Sequence, residues 1–234
     1  MKLQVVVTGA SRGIGFAVAH RFAKEGHHLA IVARNAKDLA SAQQRLSEAG
    51  AASVHTVVAD LSLQSDRNQA IDQIKSLFPQ VHVLVNNAGL FLGGTMMGEP
   101  DGQFAHLLNT NVVSAYEMTR GLWASMQQVP RAHVFNMCSI ASVTAYAAGG
   151  SYSVAKFALM GFSKSLRLEG MPVGIRVSAV LPGATLTDSW AGVDLPKDRF
   201  MDPSDVAEAI YAAFTINEHT VMEEVLLRPL LGDI

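Results

Sequence analysis

Tyr152 and Lys156 stand four residues apart, and Ser139 precedes the tyrosine by thirteen. In a helix the i, i+4 spacing puts the phenol and the ammonium on one face. A free phenol, with an ordinary pKa of about 10, transfers protons poorly near neutrality, whereas a neighbouring ammonium favours its ionised form and brings it toward the working range. A hydroxyl at Ser139 can face that phenol across a carbonyl group. A Tyr-x-x-x-Lys pair alone is also what an amphipathic helix carries, so its meaning depends on what accompanies it.

The run Thr8-Gly9-Ala10-Ser11-Arg12-Gly13-Ile14-Gly15 accompanies it. Its glycines suit a tight turn off a strand, close approach of the backbone to a pyrophosphate, and close packing of a helix on a sheet. The first amides of the helix that follows would face the anion. The G-x-x-x-G-x-G spacing is wider than the G-x-G-x-x-G dinucleotide fingerprint. About twenty residues on, where an acidic residue would take the adenosine ribose of NAD, the chain has neutral Ala33 followed by Arg34. A guanidinium there can grip a 2′-phosphate through charge-assisted bonds, and Arg12 offers a second positive charge to the same group. Asp60, in Ala59-Asp60-Leu61, reads as an acceptor for an adenine amino group or as a capping or loop residue. Asn86-Asn87-Ala88-Gly89 reads as a turn that anchors neighbouring strands beside a cofactor, or as a polar turn only.

These residues need a scaffold that brings distant segments to one edge, and the hydropathy pattern predicts one. Apolar runs at Leu3–Val7, Leu29–Ala33, Val54–Ala59, Val81–Val85, Ala132–Cys138, Ile175–Val180 and Met222–Leu227 alternate with helical periodicity over 13–25, 36–49, 64–77, 102–127, 151–169 and 203–214. Continuous apolar strands without polar alternation predict an α/β fold, a doubly wound parallel sheet of seven strands with helices on both faces, in one domain over residues 1–234. The irregular stretch 182–204 follows the carboxyl end of a strand, where such sheets place ligands, and is expected to cover a substrate.

Bulk properties narrow the function classes. With a net charge of −2 and 16% charged residues, the chain has no excess of positive charge for a phosphate backbone, which disfavours nucleic acid. No apolar run reaches signal or membrane-spanning length, so no membrane role and a cytoplasmic location are expected. The single cysteine, Cys138, lies in a buried-strand pattern and reads as packing. The histidines, His27 and His28 included, lack metal-ligand spacing, and no metal site is expected.

In their order and spacing these segments resemble the short-chain dehydrogenase/reductases over essentially the whole chain. Thr8 to Gly15 resembles the family's TGxxxGxG turn, Asp60 its adenine-site aspartate, and Asn86 to Gly89 its NNAG segment. Asn111, Ser139, Tyr152 and Lys156 match its catalytic tetrad, and Pro182-Gly183 matches the turn after the sixth strand, with Thr187 at the position that contacts the nicotinamide carboxamide. The resemblance implies a Rossmann-type fold and an NADP-dependent reductase of a small carbonyl compound. Tyr152 would be the general acid, Lys156 would bind ribose and lower the tyrosine pKa, Ser139 would orient the carbonyl, and Asn111 would hold a helix irregularity and a proton-relaying water. The cofactor would be bound by Gly9, Ser11, Arg12, Gly13, Ile14, Gly15, Arg34, Asp60, Leu61, Asn87, Ala88, Gly89, Tyr152, Lys156, Pro182, Gly183 and Thr187. A homodimer or homotetramer is also implied, since 102–127 and 151–169 carry apolar residues on more than one side: Trp123, Met126, Phe157, Met160 and Leu166. Ser142 and Cys138 depart from the 3-oxoacyl-acyl-carrier-protein reductase pattern, and the apolar tail looks more like bacterial sepiapterin-reductase-like members. A non-catalytic NADP-binding scaffold and an NAD-linked alcohol dehydrogenase remain alternatives.

Overall fold

The strands are the apolar runs, and they pair in parallel. The computed structural model describes residues 2–190 and 192–234. Strands β1 (Gln4–Thr8), β2 (His28–Ala33), β3 (Ser53–Val58), β4 (Val83–Asn86), β5 (His133–Met137), β6 (Arg176–Pro182) and β7 (Glu224–Leu227) form one sheet in the order β3-β2-β1-β4-β5-β6-β7. All six pairings are parallel, with Val7 opposite Ile31 and Val85, and Pro182 opposite Leu227. Such a sheet buries both faces, which is why its strands lack polar alternation.

The period of two sends alternate residues to different layers. Val5, Val7, Leu29 and Ile31 pack with Val18 and Phe22 of α1 (Gly13–Lys24), Leu39 and Leu46 of α2 (Ala36–Glu48), and Val206 and Ile210 of α7 (Pro203–Thr215). Val6, Ala30, Val32 and Leu84 pack instead with Ile74 of α3 (Gln64–Leu77), Met118 and Leu122 of α5 (Ser114–Met126), and Leu166 of α6 (Gly150–Gly170). The fold is therefore the doubly wound one expected. His27 and His28 sit at the amino edge of the sheet: His27 is buried and accepts the Leu3 N–H on Nδ1, and His28 meets Ser53.

The structure refines one sequence reading and corrects another. The helical region 102–127 divides into α4 (Gln103–Leu108), a π-helical turn at Asn109–Val113, and α5, which puts a helix irregularity at Asn111 as the resemblance implied. The extra residue of that turn swings Asn111 inward, where it is buried and bonded to the neighbouring loop. Of the apolar residues read as a second face, Met126, Met160 and Leu166 are spent in the chain's own core. The apolar surface exposed on these helices is carried by Phe157, as read, together with Phe104, Tyr116, Val154 and Leu168.

Candidate active site

Strand order reverses between β1 and β4, which opens a crevice at their carboxyl ends. Both walls of it are stitched together by side chains. Thr8 Oγ1 accepts the N–H groups of Asn87 and Ala88 at 3.0 and 2.9 Å, and Asn87 Nδ2 donates to the Thr8 and Gly9 carbonyls at 2.9 and 3.0 Å. Asn86 Nδ2 donates to Thr119 Oγ1 and Asn136 Oδ1, and Asn136 continues the chain of bonds to Ser163. The anchoring role read for Asn86 to Gly89 is thus made by named bonds.

The glycine turn leads straight into α1. Gly9 and Gly13 have φ of 64° and 56°, a left-handed backbone that favours glycine. A Cβ on Gly15 would collide with the Gly9 carbonyl and Asn87 Nδ2, so only glycine lets the helix start so close to the turn. Arg12 at the cap position makes no capping bond, and the first turn of α1 carries no acid. Its free N–H groups and positive dipole end therefore fit an anionic group such as a pyrophosphate. Ser11 and Ile14 lie partly exposed along this turn.

The residues expected at the adenosine end lie in one region with distinct partners. Arg34, just after β2, is largely exposed, with Nη1 4.0 Å from Asp60 Oδ2. Asp60 Oδ1 accepts from Ser62 N and Oγ at 3.0 and 2.7 Å, the loop role that was one of its two readings. Burial alone would raise its carboxyl, but the Ser62 bonds and the Arg34 charge prevail and hold it below the ordinary value. Leu61 points its side chain into the core and gives its carbonyl to Arg67. Arg12 is engaged elsewhere, in an exposed ion pair with Asp188 at 3.0 Å. Thr187 approaches the same turn: a Cβ on Gly13 would lie 3.3 Å from its methyl group. The segment after β6 therefore reaches across the crevice from Pro182 and Gly183, whose N–H bonds to Leu227, to the glycine turn.

On the other side of the crevice, the four positions singled out for proton transfer come together. Lys156 Nζ is buried, donates to the Met137 carbonyl at 2.8 Å, and lies 5.6 Å from the centre of the Tyr152 ring. Ser139, just past β5, accepts Ala141 N–H on Oγ at 3.1 Å, which leaves its own proton free to donate. Asn111 Nδ2 donates to the carbonyls of Leu90 and Leu107, both at 3.0 Å, while Oδ1 accepts Leu90 N–H at 3.2 Å. A Cβ on Gly89 would meet Asn111 Oδ1 at 2.8 Å and Lys156 Nζ at 3.7 Å, so the NNAG turn touches both.

Burial governs the electrostatics. It pushes the Tyr152 phenol above its ordinary value, with the Ser139 hydroxyl acting in the opposite direction, and it pulls Lys156 down to about 8. Lys156 reaches the face of the Tyr152 ring rather than bonding its hydroxyl, so its effect on the phenol in this arrangement is smaller than that of burial. The two side chains share a desolvated site, and the ammonium is turned to a backbone carbonyl.

A profile of the short chain dehydrogenase family matches residues 3–197. The chain belongs to this family. It is 31% identical to the sepiapterin reductase of Chlorobaculum tepidum, over 100% of this chain and 99% of that protein. It is 29% identical to a 3-oxoacyl-acyl-carrier-protein reductase of Haemophilus influenzae, over 88% of this chain and 87% of that one. L-sorbose reductase from Gluconobacter frateurii, solved with NADPH and L-sorbose, superposes with a TM-score of 0.90 at 29% identity, covering 97% of this chain and 95% of that one.

In this short-chain dehydrogenase three features near the site escaped the sequence reading. Ser142 was visible only as a departure from a pattern, yet its Oγ accepts the Ser139 N–H at 3.2 Å and closes a capping box that fixes the serine. Phe91 sets its ring edge-on to Tyr152 at 4.9 Å. Glu99 accepts the Ser151 N–H at 2.7 Å, at the start of the helix that carries Tyr152. Nothing in the spacing of residues 90–99 signals these contacts, because they cross from a loop to a helix some fifty positions away. Among the described residues no group of three or more His, Cys, Asp or Glu is placed to hold a metal, and no helix is long and apolar enough to cross a membrane.

Proposed function

We propose that this oxidoreductase reduces the carbonyl of a small ketone or aldehyde to an alcohol, with NADPH as cofactor and Tyr152 as the general acid. The observation that carries the reading is the convergence at the crevice of Tyr152, of Ser139 with a hydroxyl proton free to donate, and of the buried Lys156 ammonium 5.6 Å from the centre of the Tyr152 ring. A proton must be given to the carbonyl oxygen in reduction, and a protonated phenol beside a donating hydroxyl can give it. Relatives support it: the sepiapterin reductase and the L-sorbose reductase bear the names of carbonyl reductions, and the latter was solved with NADPH.

The cofactor's chemistry, when it is bound, is the delivery of a hydride to the carbonyl carbon. The chain's own residues do the rest. Gly9 to Gly15 and the start of α1 receive the pyrophosphate, Arg34 receives the 2′-phosphate, and Asn87 to Gly89 with Pro182, Gly183 and Thr187 border the nicotinamide end. Ser139 donates a hydrogen bond to the carbonyl oxygen, Tyr152 transfers its proton to that oxygen, and Lys156 binds the ribose and supports the phenolate that remains. Asn111 holds the loop at Leu90 and, through the π turn, a path for proton replacement.

The test is direct: the protein is mixed with NADPH and a panel of diketones, 3-oxoacyl thioesters and pterins, and the nicotinamide absorbance is followed. Turnover is expected on at least one of them. Cofactor binding with no turnover on any compound would support a scaffold instead, and faster alcohol oxidation with NAD than with NADP would support an NAD-linked dehydrogenase.

We further propose that the protein works as a homodimer or homotetramer, with the exposed Tyr116, Val154 and Phe157 covered by a second copy. Light scattering is expected to give at least twice the chain mass of 25.0 kDa at micromolar concentration. A mass at the single-chain value would exclude the assembly.

A further inference from the structure

We propose that Glu99 is a positioning residue for Tyr152, acting by clamping the first turn of α6; this rests on the reductase reading above. The helix α6 begins without a cap of its own. Gly149 at the cap position offers no side chain, and the first turn contains no acidic residue. Helices in such circumstances leave their first N–H groups unsatisfied. Here the partner comes from 52 positions earlier: Glu99 Oε1 accepts the Ser151 N–H at 2.7 Å, and Oε2 accepts the Ser151 hydroxyl. The negative carboxylate also faces the positive end of the helix dipole. These bonds from Ser151 hold the Glu99 carboxyl below its ordinary value.

The clamp has been given room. A Cβ on Gly150 would collide with Glu99 Oε1 and come within 2.6 Å of the Gly94 carbonyl, and the φ of Gly150 is +41°, so glycine is needed on both counts. Two further contacts tie the same loop to the same helix start: Gly94 N–H donates to the Ala148 carbonyl at 3.0 Å, and the Phe91 ring lies edge-on to Tyr152. Segment 90–99 is thus pinned at both ends, by Asn111 at Leu90 and by Ser151 at Glu99, and Tyr152 follows the clamped residue directly. Proton transfer demands placement of the phenol to a fraction of an ångström, and a misplacement of about 1 Å costs about a hundredfold in rate. Fraying of this turn therefore bears on Tyr152 before it bears on any core residue.

The experiment compares the intact protein with Glu99→Ala, Glu99→Gln and Ser151→Ala. Steady-state reduction of the best carbonyl of the panel is measured together with amide hydrogen exchange of the peptide spanning the start of α6. For Glu99→Ala we expect kcat to fall about tenfold or more with the KM for NADPH unchanged, and exchange at the start of α6 to quicken. Glu99→Gln keeps an acceptor for the Ser151 N–H and should recover most of the loss, and Ser151→Ala, which keeps the backbone bond, should resemble it. Exchange unchanged in Glu99→Ala would overturn the clamp. Faster exchange with kcat unchanged would overturn its bearing on Tyr152, and so would equal losses in kcat and cofactor affinity, which mark general loosening. If the parent protein turns over none of the panel while Glu99→Ala quickens exchange, the reductase reading fails and the clamp stands as a structural contact alone.

Discussion

Tyr152→Phe is expected to lower kcat for carbonyl reduction by at least about a hundredfold, the lower part of the range for loss of a general acid. The ring fits the same place, edge-on to Phe91, and loses only the hydroxyl beside Ser139. Folding and NADPH affinity should therefore be little changed, and the loss should fall on the chemical step. Fluorescence titration with NADPH, run beside single-turnover reduction, separates the two quantities. A phenylalanine variant that retains most of the parent turnover would refute Tyr152 as the acid.

The second large effect is expected at the end of β2. Ala33→Asp combined with Arg34→Gln places a carboxylate where a 2′-phosphate would lie and removes the cation assigned to it. A hydrogen bond to a charged group contributes roughly 1.5–3 kcal/mol, so the ratio of kcat/KM with NADPH to that with NADH should drop by about tenfold to a hundredfold or more. The structure makes Arg34 available for this role: it is largely exposed, and its 4.0 Å approach to Asp60 is a loose one that a phosphate can outbid. Arg12, as exposed as Arg34, would leave its surface pair with Asp188 at 3.0 Å to serve the same phosphate. A parent protein that already prefers NADH would show that Arg34 has no such function.

The scaffold was legible because parallel strands and the helices that cover them leave strong periodic signals. The runs around Val5, Ile31, Leu84 and Val134 are buried on both faces, and nothing but a covered parallel sheet has a use for such runs. The glycine turn was legible because backbone geometry at Gly9 and Gly13 excludes other residues. The π turn at Asn109–Val113 was legible only through the resemblance, which implied a helix irregularity at Asn111, because one extra residue in a helical turn leaves the apolar spacing on either side nearly intact. What sustains it is the set of bonds from Asn111 to Leu90 and Leu107, which are tertiary and local at once. The exposed face of the long helices was misjudged at Met126, Met160 and Leu166 for a related reason: periodicity reports that a residue is apolar, and the width of the core decides whether it is covered. The direction of the Tyr152 shift also lay beyond the sequence, since it depends on how deeply the phenol is set rather than on which residues are near it.

The buried ammonium of Lys156 has a thermodynamic consequence. A lysine whose pKa falls from 10.5 to about 8 on folding is charged in both the folded and the unfolded chain below pH 8, and there the folded chain carries the whole cost of dehydrating it. That cost is of order 3 kcal/mol and fades only as the pH rises from about 8 toward 10.5. Set against a typical net stability of about 5–15 kcal/mol, one side chain offsets a sizeable part of the margin left once core burial and chain entropy have nearly cancelled. The fold therefore tolerates at Lys156 a residue that works against its own persistence. An apolar side chain of similar length at this position is expected to raise the stability of the fold, at the expense of the role proposed for Lys156.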